Sequence, residues 1–269
     1  DLGLSQLDLT WIVNVYTLIF ASLLFIAGAV GDRYGRKLAM QIGLAVFTAG
    51  SLYAGFIAQT GTELIISRVV MGLGAAFVMP TTLSIINNTF PKKERARAVA
   101  IWGAVAGIGM MFGSVISGIL LEHFSWHSLF FFSAIIAVIG LFANQYLAHE
   151  SKDEEETPID WLGGAFSAVA IFGLVYGITE APSVGVTEPL VLTSLIGGAL
   201  ALAAFIFWEF KTKTPMLDMN LFKNRAFSVS SLTLTLVFLA MSGVFFSMSQ
   251  LMQLVMGYSA LESALLTIP

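Results

Sequence analysis

Eight long apolar stretches determine what this chain can fold into. A helix needs about 20 apolar residues to cross the roughly 30 Å hydrocarbon core of a bilayer. Because the stretches are continuous and do not alternate with polar residues, they do not fit a transmembrane β-barrel. The sequence therefore predicts an all-α polytopic membrane protein with about eight transmembrane helices. The predicted spans are 11–30, 38–58, 64–89, 98–121, 128–148, 161–180, 189–209 and 227–256.

Composition supports the same class of protein. Of the 269 residues, 57% are hydrophobic and 11% are charged, whereas a soluble domain carries roughly 25% charged residues. This balance excludes a soluble enzyme and a disordered chain. The chain has no cysteine and a net charge of −4, so thiol chemistry is excluded and no basic surface for nucleic acid is expected. We expect the lipid bilayer to surround the helices of this protein.

The basic residues indicate the orientation of the spans. Every lysine and arginine except Arg68 lies in one of the loops 31–37, 90–97, 149–160 and 210–226. These four loops share one side of the membrane if the eight spans are correct. Basic loops face the cytoplasm, so we predict a multi-pass protein of the cell membrane with these loops inside. The first residue is Asp1, outside the membrane, and we expect the chain to be a piece of a longer protein.

The polar segment 149–160 divides the chain. It carries His149 and several acidic residues, and a run of this kind is usually a solvated loop. We predict that it is a cytoplasmic linker and that no metal is bound. The linker separates a first group of helices, 1–148, from a helix pair, 161–209, which is followed by a loop and further helix, 210–269.

A glycine-rich basic segment lies between the first two spans. Glycines here permit a sharp turn, and the basic side chains can pair with Asp32 through contacts that can break. We expect Asp32 near the start of the second helix, where unpaired N–H groups favour a carboxylate. The alternative is a basic loop that only sets topology. The candidate gating residues are Gly28, Gly31, Asp32, Arg33, Gly35, Arg36 and Lys37.

Arg68 is the one basic residue placed inside a predicted span. A buried arginine in a membrane helix is costly and usually faces a bundle interior or a wet cavity. Arg68 and Gly72 share a helix face, and Gly74 follows, so close packing would aim the guanidinium inward. The alternative is that Arg68, about one turn into the span, reaches outward to the membrane interface.

The fourth span carries a series of small residues. Such residues allow membrane helices to approach closely, which serves either ordinary packing or the movement of one helix against another. The candidates for helix packing are Gly109, Gly113, Ser114, Ser117 and Gly118.

Isolated polar side chains inside spans are candidates for lining a substrate pathway. They are Asn14, Tyr16, Trp102, Gln250 and Gln253. Glu180 and Glu209 lie at span ends, where we expect them to be hydrated, and Gly243 leads us to expect that the last span is tilted or broken.

Motifs of known enzymes are missing from the sequence. The three histidines form no H-E-x-x-H pattern, and there is no G-x-S-x-G or nucleotide-binding sequence. We therefore expect no catalytic residues and no cofactor. The absence of an ATP-binding motif favours a secondary transporter of small molecules.

Three of these motifs resemble those of the major facilitator superfamily. Residues 28–37 resemble the segment between that family's second and third helices. Arg68 to Ala76 resembles its fourth-helix arginine motif, and residues 109–118 resemble its fifth-helix antiporter motif, with Ser114 and Ser117 in place of a proline and a glycine. Stretches 11–18, 91–98 and 215–227 are similar to the fourteen-helix drug:proton antiporter branch.

This resemblance implies a helical bundle that contains the family's helices two to nine. It implies a gating role for Asp32, Arg33, Gly35 and Arg36 and a role in proton coupling for Arg68. The expected function is proton-coupled export of drug-like compounds by a monomer, with the proton gradient as energy source. The alternatives are export or symport of a metabolite, amino acid or siderophore, a transport-fold sensor, and a membrane enzyme.

Overall fold

The structure is a computed structural model that describes Leu4, residues 6–152 and residues 158–266. All regular elements in these residues are helical, and eight are long and apolar enough to cross a membrane. The predicted all-α class and the eight spans are therefore confirmed. The helices are α1 (Gln6–Tyr34), α2 (Arg36–Phe56), α3 (Gly61–Thr89), α4 (Lys92–His123), α5 (His127–Leu147), α6 (Trp161–Val184), α7 (Pro189–Glu209), α8 (Arg225–Gln250) and α9 (Ala260–Leu266), with a 3₁₀ turn at Met219–Lys223 and a π-helical turn at Leu251–Val255.

The helices differ from the predicted spans mainly at their ends. Helix α1 continues to Tyr34 and α4 begins at Lys92, so both extend into segments predicted as loops. Hydropathy marks where a helix is apolar, whereas charged residues can continue the same helix beyond the hydrocarbon region. Gly243 lies inside α8, and the interruption of the last span falls later, at the π-helical turn.

Two compact units make up the chain. The first combines residues 1–98 with 130–217, and the second combines 99–129 with 218–269. The division into segments 1–148, 161–209 and 210–269 follows chain order and stays a prediction.

Glycines bring α2 and α3 together in the first unit. A Cβ at Gly74 would lie 2.5 Å from the backbone oxygen of Gly43 and from the backbone nitrogen of Phe47. A Cβ at Gly50 would lie 2.9 Å from the Met71 side chain. No other residue fits such an approach without moving the backbone, so these glycines fix the spacing of the two helices.

The pair α6 and α7 packs through glycines and contacts α1. A Cβ at Gly173 would lie 2.7 Å from the Ser194 carbonyl oxygen. The Phe205 ring of α7 lies 6.2 Å from the Phe25 ring of α1, and the Tyr176 ring of α6 lies 5.3 Å from the Trp11 ring. Within the first unit, the predicted helix pair thus contacts both halves of α1.

Candidate functional site

Asp32 connects three helices at the end of α1. Its Oδ1 atom accepts a hydrogen bond from Arg36 Nε of α2 at 2.7 Å and from Ser84 Oγ of α3 at 2.9 Å. The pair of Asp32 and Arg36 is also an ion pair. Because both contacts are partly exposed side-chain contacts, they join the helix ends and can still separate at modest cost.

Steric constraints explain why two positions of the predicted gating segment are glycine. Gly35, between α1 and α2, has a φ of 126°, a conformation that residues with a Cβ rarely adopt. A Cβ at Gly31 would lie 2.8 Å from the Thr81 side chain of α3. Gly28 is less restricted, since a Cβ there would lie 3.4 Å from Pro80.

The carboxylate at the start of α2 is Glu150, which corrects the position expected for Asp32. Asp32 lies in the last turn of α1, and Gly35 caps α2 without a side-chain bond. Glu150 accepts hydrogen bonds from the Lys37 N–H at 3.0 Å and the Leu38 N–H at 3.2 Å. A helix N-terminus favours such an anion because its first N–H groups have no partner in the helix.

The end of α5 adds further contacts to the same helix start. Lys37 Nζ donates to the Gln145 carbonyl oxygen at 2.7 Å, and Asn144 Nδ2 donates to the Lys37 carbonyl oxygen at 3.1 Å. The Arg36 N–H donates to the Ser151 carbonyl oxygen at 2.9 Å. The beginning of the segment predicted as a solvated linker is therefore docked on α2. Residues 153–157 of that segment lie outside the described residues.

A cavity of about 540 Å³ opens beside the gating segment. It combines apolar walls with charged groups from α1 and from the segments that flank α6 and α7. The charged side chains on its wall are Asp32, Arg33, Asp160 and Lys213.

Arg68 faces α1. Its Nε donates to the Ile12 carbonyl oxygen at 2.9 Å, and its guanidinium carbon lies 4.5 Å from the centre of the Tyr16 ring. A Cβ at Gly72 would lie 2.8 Å from the Tyr16 carbonyl oxygen. Gly72 thus lets α3 approach α1 closely enough for the arginine to reach the backbone, as the shared helix face predicted.

The small residues of α4 divide into two groups. A Cβ at Gly109 or Gly113 would meet nothing within 4 Å among the described atoms, whereas at Gly118 it would lie 2.7 Å from the Leu261 Cα atom. In the second unit, a cavity of about 460 Å³ brings Ser114, Ser117 and Gly118 together with Gln253, a candidate pathway residue.

The other candidate pathway residues are distributed differently. Tyr16 lies beneath Arg68 and stacks with Phe20 at 6.3 Å. Asn14 and Trp102 are half-buried, and Gln250 is exposed at the end of α8.

Two acidic residues expected to be hydrated are buried instead. Glu180 is 6% exposed and Glu209 is 4% exposed. Glu180 accepts a hydrogen bond from Trp11 Nε1 at 2.5 Å, which joins α6 to the opposite end of α1 from the gating segment. Their positions in the sequence, one turn or less from a span end, carry no signal of this burial. Among the described residues, no three His, Asp or Glu side chains form a candidate metal site.

Eight helices long and apolar enough to cross a membrane, with helix ends joined by partly exposed polar contacts, define a polytopic helical membrane protein. The family model of the Major Facilitator Superfamily matches residues 1–269, and the chain belongs to that family. This is a family of membrane transporters and not of enzymes.

Several similar proteins are named for drug resistance or efflux. The chain is 33% identical to multidrug resistance protein Stp of Mycobacterium tuberculosis over 97% of its length and 49% of Stp. It is 34% identical to methyl viologen resistance protein SmvA of Salmonella typhimurium, over 100% of its length and 54% of SmvA. With the multidrug efflux pump LfrA of Mycolicibacterium smegmatis the identity is 35%, over 96% of its length and 51% of LfrA. The chain therefore spans about half the length of these curated relatives.

Proposed function

We propose that the protein of this chain exports drug-like, preferably cationic, amphipathic compounds in exchange for protons. The observation that carries the proposal is the position of Arg68, partly buried against Ile12 and Tyr16 of α1, in a chain similar to proteins named for multidrug efflux and methyl viologen resistance. The substrate is a small molecule, the energy source is the proton gradient, and no cofactor is needed. The protein works as a monomer.

Orientation follows from the charge of the loops. The ends of α1, α3, α5 and α7 lead into the loops that hold nearly all lysines and arginines. Such loops stay on the cytoplasmic side of the cell membrane. The contacts of Asp32 and Glu150 then lie at the cytoplasmic surface, where export must begin by admitting the substrate from the cell interior or the inner leaflet.

The gating segment controls that cytoplasmic surface. Asp32 and Glu150 hold α1, α2, α3 and the end of α5 in one arrangement through hydrogen bonds to Arg36, Ser84 and the start of α2. Alternating access needs each arrangement to be stable but reversible. Partly exposed ionic contacts suit this because each contributes about 1 kcal/mol or less.

Proton coupling takes place at Arg68. Its positive charge is held by a carbonyl dipole and an aromatic face, and within the described residues no carboxylate forms an ion pair with it. A carboxylate elsewhere in the protein would be attracted to Arg68 when ionised and released when protonated. Proton binding then changes the contacts of α1 and α3, and the small residues of α4 allow the accompanying helix movement.

Inside-out membrane vesicles test this function directly. Vesicles from cells that express the complete reading frame are energised to acidify their lumen, and cationic dyes and drugs are added while the pH gradient is recorded. The proposal predicts partial collapse of the gradient by some compounds, absent in vesicles without the protein. A gradient that no compound changes, despite confirmed expression, contradicts proton-coupled drug export and favours a carrier for one metabolite.

A further inference from the structure

Two carboxylates lie together where α6 begins and α7 ends. Asp160, which caps α6, is 8% exposed, and Glu209, the last residue of α7, is 4% exposed. Glu209 Oε1 and Asp160 Oδ2 converge on one point, 2.6 Å and 2.7 Å from where a Cβ of Gly163 would lie. The missing side chain at Gly163 thus leaves a space that both carboxylates border.

Three of the four carboxylate oxygens have a hydrogen-bond donor. Asp160 Oδ1 accepts from the Gly163 N–H at 2.9 Å, and Oδ2 accepts from Trp208 Nε1 at 2.7 Å. Glu209 Oε2 accepts from the Leu217 N–H at 2.9 Å. Glu209 Oε1 is buried and has no hydrogen-bond partner among the described residues. A buried carboxylate oxygen without a donor is costly when the group is ionised.

Basic side chains of the neighbouring elements form no ion pair with these two carboxylates in the described part of the chain. Lys213 lines the same cavity as Asp160, as do Arg33 and Asp32 of α1, and Asp32 is itself paired with Arg36. The ammonium of Lys211 lies 4.2 Å from the centre of the Phe207 ring. In the described part of the chain, neither Asp160 nor Glu209 forms an ion pair. If both groups were ionised, Asp160 and Glu209 would therefore place two negative charges in a buried site.

We propose that Asp160 and Glu209 form a proton-binding site that holds one proton between them. The proton is bonded to Glu209 Oε1 and directed toward Asp160 Oδ2, so the pair carries one negative charge. Two N–H groups already donate to Asp160, whereas none donates to Glu209 Oε1 among the described residues. The shared proton supplies the donor that Glu209 Oε1 lacks, and it removes the repulsion between two neighbouring negative charges.

The proton also affects the loop that follows α7. Glu209 Oε2 holds the Leu217 N–H, eight residues away, so the carboxyl group closes residues 210–217 into a fixed loop. Loss of the proton would place a second charge beside Asp160 and push Glu209 out of this position. The protonation of Glu209 therefore controls the conformation of residues 210–217, independently of which compound is transported.

Infrared spectroscopy tests the site without any transport measurement. The purified protein, produced from its complete reading frame, is placed in liposomes and its carbonyl region is recorded across a pH series. We expect a protonated carboxylic acid band at pH 7 that Glu209→Gln removes. The matched control is Glu188→Gln, because Glu188 is an exposed carboxylate at the other end of the same helix, and this variant should retain the band. Absence of a Glu209-dependent band at pH 7 overturns the proposal. A band that appears only when sodium is absent also overturns it, because the site would then bind sodium in place of the proton.

A second variant tests the sharing of the proton. In Asp160→Asn the neighbouring charge is replaced by an amide that can donate to Glu209 Oε1, so the Glu209-dependent acid band at pH 7 should weaken. An acid band of unchanged intensity contradicts a shared proton. Glu209→Gln should fold normally, because its amide copies the shape and the donor of the protonated carboxyl group. A failure of drug export in the vesicle experiment would leave these spectra unaffected.

Discussion

The backbone carbonyl oxygen of Ile12 accepts a hydrogen bond from Arg68 Nε at 2.9 Å, across two helices. This contact explains how an arginine is held within the membrane-spanning part of the chain although no carboxylate among the described residues forms an ion pair with it. The carbonyl dipole and the Tyr16 ring, 4.5 Å from the guanidinium carbon, supply the stabilisation. The arginine is thus fixed in position while its charge stays available to another group.

Replacing Arg68 with lysine should impair coupling strongly. Lysine keeps the charge but loses the planar group that lies over Tyr16 and the Nε donor that reaches Ile12. A hydrogen bond to a charged group is worth about 1.5–3 kcal/mol, so drug-induced proton flux in inside-out vesicles should fall at least about tenfold. Arg97→Lys, at an exposed position of α4, is the control and should retain full flux. Wild-type flux in Arg68→Lys would show that the site needs only a positive charge.

Glu150 should protect the start of α2 from exchange with solvent. In Glu150→Ala the N–H groups of Lys37 and Leu38 lose their acceptors, and a lost helix cap costs about 1 kcal/mol. Hydrogen–deuterium exchange should therefore rise roughly fivefold in a peptide covering the start of α2. Glu150→Gln keeps an acceptor oxygen and should lie between the two. Equal exchange in all three proteins would mean that the carboxylate does not cap this helix in solution.

Asp32→Asn should shift the balance between transport conformations with little effect on folding. Asparagine keeps an oxygen for Ser84 but loses the ionic contact with Arg36. Since a partly exposed ion pair contributes about 1 kcal/mol or less, the ratio of conformations should change about two- to fivefold. Labels at the ends of α1 and α3 in a fluorescence or spin-label distance measurement report this ratio. A wild-type distance distribution in the variant would remove Asp32 from the gate.

Gly74 should be intolerant of alanine. A Cβ there would lie 2.5 Å from backbone atoms of Gly43 and Phe47, so α2 and α3 must move apart, at a cost of about 1–3 kcal/mol. The melting temperature of the purified protein should fall by several degrees. Gly197→Ala is the matched control, since a Cβ at this helical position would meet no described atom within 4 Å, and it should melt like the wild type. Equal melting temperatures would contradict the close helix contact.

The sequence predicts the spans well because hydropathy is a local property. The inward direction of Arg68 also follows from the sequence, since Gly72 on the same face permits the approach to α1. Glu150 could not be predicted, because its role depends on a contact with Lys37, more than a hundred residues earlier. The burial of Glu180 and Glu209 escapes prediction for the same reason, as it is Trp11 and the returning loop at Leu217 that cover them.

Proton-driven accumulation of a cation in liposomes is the most direct test of proton-coupled export. The purified protein, from its complete reading frame, is reconstituted into liposomes with an acidic lumen and no membrane potential, and uptake of a fluorescent cation is followed while lumenal pH is recorded. Proton-coupled export predicts that the cation accumulates as protons leave, and that Arg68→Ala abolishes both movements together. Uptake that proceeds equally without a pH gradient, or that leaves lumenal pH unchanged, would contradict proton-coupled export.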